Sequence, residues 1–207
     1  EERLSKTFAE LEGDGHSKIV ADLSSDEGIE AIINSCPQID GLVNNAGISR
    51  PLPVNFVTRE KIEQIFPTNL EAPILLFSKL LKTKKLAKTS STVFTSSING
   101  VWGGEKAESL YSASKAALSG FVKSAALDLA PKGIRVNCVC PGMVETGILS
   151  DGAITPEQLA ENAKGYPIGR HGKPEEVAWA IIYLLSDAAA FVTGTNLVID
   201  GGISIKI

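Results

Sequence analysis

The chain has 207 residues, of which 43% are hydrophobic and 21% charged, and this balance predicts one folded domain with a single substantial core, not a disordered or fibrous chain. Its formal net charge of −4 at pH 7 argues against a general nucleic-acid surface, because phosphate binding needs a basic face. No apolar run approaches the roughly 18 residues that a bilayer helix requires, so we expect neither a nucleic acid nor a membrane as a partner.

The first part of the chain alternates between helical and extended patterns. Apolar residues at positions 4, 8 and 11 predict an amphipathic helix, without an N-cap residue, that ends at a Gly-Asp-Gly turn over residues 13–15. Residues 17–22 predict a short strand, and Ser24 or Ser25 can cap the next helix. Residues 41–47 then predict an apolar strand that runs into a small polar loop. The Asn pair in this loop fits either a bridge to neighbouring strands or a simple turn.

The next pattern predicts a helix that Thr58 can cap and that extends beyond residue 80. Pro67 lies inside this helix, where it removes one backbone hydrogen bond and should kink the chain near Asn69. A basic run of five lysines follows between residues 79 and 88. This run fits a solvated helix end that complements the helix dipole, or a docking face for an acidic partner such as a carrier protein.

Residues 91–96 predict a strand that delivers Ser97 at its carboxyl end, and a glycine-containing loop leads from there to a helix over residues 110–130. Tyr111 and Lys115 are four residues apart, so both lie on one face of that helix. An ammonium about 4 Å from a phenol is worth roughly 4 kcal/mol at an effective dielectric of about 20, which favours the phenolate, although desolvation cancels part of this. The spacing also arises by chance, and a charged surface face is the competing interpretation.

The last part of the chain adds two more strands. Residues 134–139 predict a strand followed by the turn Pro141-Gly142, and residues 149–172 carry mixed signals that we interpret as a mobile lid. A helix begins at Pro174, and residues 196–199 predict the final strand. The three cysteines, Cys36, Cys138 and Cys140, are predicted to be buried free thiols, which suits a reducing cytoplasm. The two histidines, His16 and His171, are interpreted as ordinary loop residues, and we expect no metal site.

Short apolar strands that alternate with amphipathic helices predict an α/β fold with a parallel sheet, because parallel neighbours need crossover helices. Chemistry in such folds lies at the carboxyl ends of the strands. The Asn pair, Ser97 and Pro141-Gly142 all fall at strand ends, so we expect them on one edge of the sheet beside the start of the Tyr111 helix.

Taken together, these motifs resemble the short-chain dehydrogenase/reductase family over essentially the whole chain. The matching positions are Asn-Asn-Ala-Gly at 44–47, a helix Asn at Asn69, a strand-end Ser at Ser97, Tyr-x-x-x-Lys at Tyr111 and Lys115, Pro141-Gly142 followed by Thr146, and Asp-Gly-Gly at 200–202. The resemblance implies a Rossmann-like, doubly wound parallel sheet and an NAD(P)-dependent oxidoreductase.

The resemblance also implies catalytic roles. Tyr111 would give a proton to the carbonyl oxygen during reduction, or remove it from the hydroxyl during oxidation, and Lys115 would hold the nicotinamide ribose and favour the phenolate. Ser97 would hydrogen-bond the reacting oxygen. The backbone carbonyl of Asn69 would hold a relay water, which the Pro67 kink could help expose.

By the same resemblance, several further positions would bind the cofactor. Asp22 and Leu23 match the place where the family meets the adenine ring, while the backbone of Val144 and Thr146 would orient the nicotinamide carboxamide. The other implied cofactor-binding residues are Asn45, Ala46, Gly47, Tyr111, Lys115, Pro141 and Gly142. The resemblance leaves NAD and NADP both open, with a lean towards NADP from the family's reductive members.

The sequence departs from the family pattern at one point, because it contains no Gly-rich dinucleotide turn. In the family's strand order, the strand at Ile19 is separated from that at Leu42 by two strands that are not supplied here. We therefore expect residues 1–207 to be a single domain that is N-terminally incomplete, with roughly 40 to 50 upstream residues truncated or unseen, since an unpaired buried strand is costly. Because the Gly-rich turn is missing, the sequence leaves open whether residues 1–207 are active by themselves.

Three functions fit these observations. The first is a ketone/secondary-alcohol oxidoreductase, similar to 3-oxoacyl-carrier-protein reductases that act on an acyl thioester. The second is a sugar, polyol or hydroxysteroid-type dehydrogenase, for which a pocket around Trp102, Glu105, Gly147 and Ile148 would matter. The third is a non-catalytic nucleotide-binding or scaffold protein. The resemblance further implies a homodimer or homotetramer that pairs the apolar helices at 70–81 and 110–129 across subunits.

Overall fold

Four parallel strands form one sheet in the order β1-β2-β3-β4 in the computed structural model, which describes residues 1–146 and 155–206. The strands are β1 (Ile39–Asn44), β2 (Leu86–Thr95), β3 (Arg135–Pro141) and β4 (Asn196–Ile199). Val93 of β2 pairs with Val43 of β1 and with Asn137 of β3. The prediction of an α/β, Rossmann-like fold with a parallel sheet is confirmed.

Seven α-helices within the described residues connect and cover the sheet. They are α1 (Glu2–Ala9), α2 (Asp26–Ser35), α3 (Arg59–Glu63), α4 (Ala72–Lys82), α5 (Ser109–Leu129), α6 (Pro156–Lys164) and α7 (Pro174–Leu185). Short 3₁₀ turns lie at Val54–Phe56, Ala130–Lys132, Asp187–Ala189 and Ile203–Ile205. In the described part of the chain, no helix combines the length and the apolar character needed to cross a membrane.

Helices cover both faces of the sheet, as the alternation of side chains along β2 requires. Phe94 packs with α2, α4 and α5 in one apolar cluster, which includes Phe77 and Leu118. Its neighbour Val93 points to the other face, where it packs with Leu184 of α7. The core therefore has two layers, one on each side of the sheet.

The predicted strand over residues 17–22 is wrong, because this segment has no β structure. In the described structure β1 pairs only with β2, so no strand lies beside residues 17–22 to supply a ladder. Lys18 instead donates to the Ser5 hydroxyl at 2.9 Å and lies over the ring of Phe8, against α1. That first helix ends at Ala9, earlier than the predicted turn at residues 13–15.

The predicted kink in the long helix is confirmed and takes the form of a π-helical turn at Pro67–Glu71, between α3 and α4. The Ala72 amide donates to the Pro67 carbonyl five residues earlier. The predicted caps are also present, since the side chains of Ser25 and Thr58 accept hydrogen bonds from the first turns of α2 and α3.

The lysine run is divided between two environments. Lys79 pairs with Glu30 at 2.6 Å, and Lys85 donates to the carbonyl of Cys36. The other three lysines of the run are exposed, and they are Lys82, Lys84 and Lys88. Cys138 and Cys140 are buried free thiols as predicted, whereas Cys36 is only half-buried, because it ends α2 near the surface.

Arg135 at the start of β3 supports the end of α7. Its guanidinium donates to the carbonyls of Leu184 at 2.6 Å, Leu185 at 3.2 Å and Ser186 at 3.1 Å. The last carbonyls of a helix have no partner within it. The Leu184 carbonyl also accepts from the Ser91 hydroxyl and the Ser186 carbonyl from the Ala189 amide, so the Leu185 carbonyl depends most on Arg135.

We predict that Arg135→Ala lowers the free energy of unfolding by about 2–3 kcal/mol, because it removes hydrogen bonds from a charged donor and leaves the Leu185 carbonyl without that donor. Urea unfolding followed by circular dichroism measures this loss. The matched control is the exposed neighbour Lys132→Ala, for which we expect a change within about 0.5 kcal/mol. Equal stability of the two variants would contradict this function for Arg135.

Candidate active site

The carboxyl ends of three strands meet the start of α5 at one edge of the sheet. β1 ends at Asn44, β2 at Thr95 and β3 at Pro141, while α5 begins at Ser109. Because the strands are parallel and adjacent, the segments that follow them share this edge. The sequence-predicted catalytic residues are thereby brought together.

Lys115 is the charged centre of this edge. Its side chain is buried, with the residue only 3% exposed, and its ammonium donates to the carbonyl of Thr95 at 2.8 Å. Burial lowers the pKa of Lys115 to about 8. Gly47 lies directly against it, and a Cβ at this glycine would be 3.0 Å from the Lys115 nitrogen. The glycine of the Asn-Asn-Ala-Gly motif therefore leaves the room that the ammonium needs.

Tyr111 lies one turn before Lys115, whose nitrogen is 5.9 Å from the centre of the phenol ring. Burial raises the pKa of Tyr111, the Ser97 side chain lowers it, and the charge of Glu108 raises it further, with a net upward shift. The expectation that Lys115 favours the phenolate is therefore wrong for this structure. Desolvation of the Tyr111 phenol has the larger effect on its pKa, and the ammonium of Lys115 donates to the carbonyl of Thr95 instead of to the phenol.

Two further serines donate hydrogen bonds to the backbone of α5 in the site, and the sequence patterns did not indicate them. Ser96 donates to the carbonyl of Lys115 at 2.7 Å, and Ser114 donates to the carbonyl of Tyr111 at 2.7 Å. Ser97 itself is buried, and its hydroxyl accepts from the amide of Asn99 at 3.1 Å. Buried serines carry no pattern of their own, so only their positions next to Ser97 and Lys115 could have indicated them.

The side chain of Asn69 is fully buried and bridges two segments of the site. It accepts from the amide of Ile48 at 2.8 Å and donates to the carbonyl of Ile48 at 2.8 Å, and it also donates to Ser114 at 3.1 Å. This amide therefore holds the loop after β1 against α5. The backbone carbonyl of Asn69 is the group that remains for other partners.

Pro73 removes the donor that the Asn69 carbonyl would have in a regular α-helix. In an α-helix the carbonyl of a residue accepts from the amide four positions later. Four positions after Asn69 is Pro73, which has no N–H. The missing N–H of Pro67 affects the carbonyl of Glu63 directly, and the π-helical turn that contains Asn69 begins at Pro67, so the expectation that this kink helps expose the Asn69 carbonyl stays a prediction.

The Asn pair after β1 forms a bridge to the neighbouring strand, the first of the two predicted alternatives. The side-chain oxygen of Asn45 accepts from the hydroxyl of Thr95 at 2.9 Å. The amide nitrogen of Asn44 is buried and has no partner among the described residues. Both residues line a cavity of about 90 Å³ together with Ala46 and Leu23. Asp22 lies beside it, but its carboxylate accepts from the amide and hydroxyl of Ser24 at 2.9 and 2.7 Å.

The turn after β3 provides the opposite side of the edge. The amide of Gly142 donates to Ile199 of β4 at 3.0 Å, and Val144 forms an isolated bridge with Gly172. Thr146 is exposed. Two parts of the sequence predictions lie outside the described residues. They are Gly147 and Ile148, from the pocket expected for the second enzyme function, and residues 149–154 of the predicted lid. Trp102 and Glu105 are exposed in the loop before α5.

His171 is not the ordinary loop residue that the sequence suggested. It is buried, its ring nitrogen is 2.9 Å from the side-chain oxygen of Asn162 in α6, and its ring packs edge-on against Tyr166. The hydroxyl of Tyr166 accepts from the amide of Met143 at 3.0 Å. These contacts attach α6 to the turn after β3, a long-range arrangement that the local sequence does not indicate.

The hydrogen-bond donors at this edge fit a dinucleotide cofactor. The buried amide nitrogen of Asn44 has no partner among the described residues, and the buried ammonium of Lys115 is a second donor. The cavity at Leu23 and Asn45 extends this edge along the sheet.

Comparisons with known proteins agree with this geometry. A family model described as "Enoyl-(Acyl carrier protein) reductase" matches residues 1–204. The 3-oxoacyl-[acyl-carrier-protein] reductase FabG of Thermotoga maritima is 37% identical over 180 residues, which cover 86% of this chain and 72% of that protein. The cyclopentanol dehydrogenase of Comamonas sp. is 36% identical over 174 residues, covering 84% of this chain and 69% of that protein.

A solved structure is similar over the same region. The 4-hydroxyisoleucine dehydrogenase mutant complexed with NADH and succinate matches with a TM-score of 0.81 and 29% identity, over 89% of this chain and 78% of that chain. The chain therefore belongs to the short-chain dehydrogenase/reductase family of NAD(P)-using oxidoreductases. The relatives differ in their named activities, so membership alone does not identify a substrate.

The buried charge of Lys115 predicts a specific pH dependence of stability. Its pKa is about 8 in the folded chain, below the ordinary value of 10.5. Between these values the unfolded chain binds more protons, so stability rises with pH in that window. Relative to Lys115→Met, the free energy of unfolding of the natural chain should rise by about 2 kcal/mol from about pH 7 to about pH 9.5.

Urea unfolding at the two pH values measures this change, and only the difference between variants is interpreted because other groups also titrate. The control is Lys123→Met, an exposed lysine on the same helix, which should follow the natural chain. If the two Met variants respond alike to pH, the ammonium of Lys115 is not the desolvated group.

Proposed function

We propose that this chain interconverts a ketone and a secondary alcohol with NAD(P)(H), using Tyr111 as the acid and base. The observation that carries the proposal is the convergence of Tyr111, Ser97 and the buried ammonium of Lys115 at one sheet edge. The family's oxidoreductase chemistry supports it. When bound, the cofactor supplies or accepts the hydride.

Residues of the chain carry out the proton transfer and bind the substrate and the cofactor. Tyr111 gives its proton to the carbonyl oxygen in reduction and takes it back in oxidation, and its raised pKa keeps the phenol protonated and ready to donate. Ser97 hydrogen-bonds the same oxygen. Lys115 holds the nicotinamide ribose, and the Asn69 carbonyl holds the water that returns the proton from solvent.

We assign the cofactor contacts to the segments along this edge. Leu23, Asn45 and Ala46 line the cavity on the adenine side, with Asp22 next to it. Gly47 gives the ribose access to Lys115. On the other side of the edge, Pro141, Gly142, Val144 and Thr146 orient the carboxamide. NADP is our preferred cofactor over NAD.

A 3-oxoacyl thioester is one candidate substrate, supported by the likeness to reductases named FabG. A small cyclic, polyol, sugar or hydroxysteroid-type alcohol is the second candidate, supported by the likeness to cyclopentanol dehydrogenase. A non-catalytic scaffold is the candidate of another class. The retention of Ser97, Tyr111 and Lys115 in one site favours catalysis over that function.

We further propose a cytoplasmic homodimer or homotetramer that pairs α4 and α5 across subunits. Leu127 on α5 is 78% exposed and Leu75 on α4 is 40% exposed, so both helices present apolar side chains that a second copy could cover. Light scattering of the purified protein tests this, and a monomer would contradict it.

The central experiment compares the natural chain with Tyr111→Phe in the oxidation of NADPH and NADH against a panel of ketones. Loss of the phenol should lower turnover by a factor of about 10² to 10⁴, because the proton donor is removed while the ring remains. The control is Tyr183→Phe, which removes a hydroxyl on α7 away from the site. Equal turnover by the natural chain and Tyr111→Phe would defeat the assignment.

The same proposal predicts a role for Pro73. Pro73→Ala restores an N–H that can occupy the Asn69 carbonyl, so the relay water loses its acceptor. We expect turnover to fall about a hundredfold, which is the lower end of a general acid–base contribution, with the KM for the cofactor little changed. Steady-state kinetics in water and deuterium oxide measure the effect. The control is Pro67→Ala, which restores an N–H aimed at a different carbonyl, and equal losses in both variants would count against the relay.

A further inference from the structure

Glu108 is an acidic residue beside the candidate active site that the proton relay does not use. It lies immediately before α5, one turn ahead of Tyr111. Both of its carboxylate oxygens lie 2.8 Å from the hydroxyl of Ser49, in the loop that follows the Asn-Asn-Ala-Gly motif. The carboxylate is thus placed between the loop after β1 and the helix that carries Tyr111.

The backbone around Glu108 is built to hold this position. Ala107 has a φ of 64°, a left-handed conformation that a residue with a Cβ adopts only at a cost. Its carbonyl accepts from the amide of Leu52 at 2.6 Å, which joins this loop to the segment that follows Ser49. The conformation at Ala107 and the Ser49 contact together fix where the carboxylate lies.

The carboxylate keeps unused capacity to accept hydrogen bonds. Two carboxylate oxygens can accept about four bonds, whereas one Ser49 hydroxyl has a single proton to donate. Within residues 1–146 and 155–206, no lysine or arginine forms an ion pair with Glu108. Burial raises the pKa of Glu108, and the neighbouring charge of Glu105 acts in the same direction. Burial is the main cause of the raised pKa of Tyr111, and the charge of Glu108 acts in the same direction.

We propose that Glu108 determines specificity by accepting a hydrogen bond from a second polar group of the substrate, a hydroxyl or an ammonium on the carbon next to the reacting carbonyl. This inference rests on the proposed function, because it places the reacting carbonyl at Tyr111. The same charge disfavours a substrate with a carboxylate at that carbon. A neutral ketone without a donor is accepted but gains nothing from Glu108.

The test uses four ketones of nearly equal size that share a methyl ketone group, namely butanone, hydroxyacetone, aminoacetone and pyruvate. The natural chain should favour hydroxyacetone and aminoacetone over butanone by about tenfold or more in kcat/KM, since a hydrogen bond to a charged acceptor supplies that much. Pyruvate should be the poorest of the four. Glu108→Ala should bring the first three ketones to similar kcat/KM values and improve pyruvate relative to butanone.

Glu108→Gln separates the two donors and guards against misfolding of the Ala variant. The amide keeps an acceptor oxygen but loses the charge, so the preference for hydroxyacetone should largely remain while that for aminoacetone is lost. The control is Glu63→Gln, an exposed glutamate on α3, which should retain both preferences. An unchanged ratio of hydroxyacetone to butanone in Glu108→Ala would overturn the proposal.

Failure of the proposed function gives a different result from failure of this inference. If no ketone is turned over in a Tyr111-dependent manner, the proposed function fails. Calorimetric titration of the natural chain and Glu108→Ala with hydroxyacetone and butanone then decides the inference separately. A hydroxyl-dependent gain in binding that disappears in Glu108→Ala supports it, and equal binding of hydroxyacetone by both proteins contradicts it.

Discussion

A buried ammonium at the carboxyl end of β2 is the constraint around which the site is arranged. A charge removed from water needs a partner close by, and the carbonyl of Thr95 supplies it for Lys115. Ser96 fixes the backbone of Lys115 through its carbonyl, and Gly47 gives the ammonium its space. The end of β2, the loop after β1 and the face of α5 are therefore bound to one another through a single side chain. Each of these segments also carries part of the proposed chemistry.

The side chain and the backbone carbonyl of Asn69 have different functions, one structural and one chemical. Its side chain is consumed by Ile48 and Ser114, so it connects the loop after β1 with α5 and leaves no amide group for a ligand. Its backbone carbonyl, in contrast, lies in a π-helical turn and faces a proline four positions later. The side chain anchors the turn to the loop after β1 and to α5. A carbonyl that accepts a relay water is useful only when its position is fixed in this way.

The sequence was sufficient for the parallel sheet, the kink at Pro67 and the shared edge of the site, because each follows from local periodicity or from the ends of strands. It was not sufficient where a distant partner decides the outcome. The strand predicted at residues 17–22 has suitable side chains but no neighbouring strand to pair with. His171 became a buried anchor through Asn162 and Tyr166, and the pKa of Tyr111 follows from burial more than from the nearby lysine. Glu108 gained its significance only from its contact with Ser49, 59 positions earlier in the chain.

The exposed lysines of the run at residues 82–88 and the candidate active site lie at opposite ends of β2, and this separation bears on the choice between substrates. The exposed lysines, including Lys88, lie near the amino end of this strand, whereas Ser97 follows its carboxyl end. Lys88 precedes Ser91, and at about 3.3 Å per residue the regular part of the chain from Ser91 to Ser97 spans about 20 Å. An acidic carrier bound at the lysines would therefore need a flexible arm of that length to bring its ketone to Tyr111. Glu108 would meet only the end of that arm, so recognition of a carrier and selection of the reacting group are physically separate in this fold.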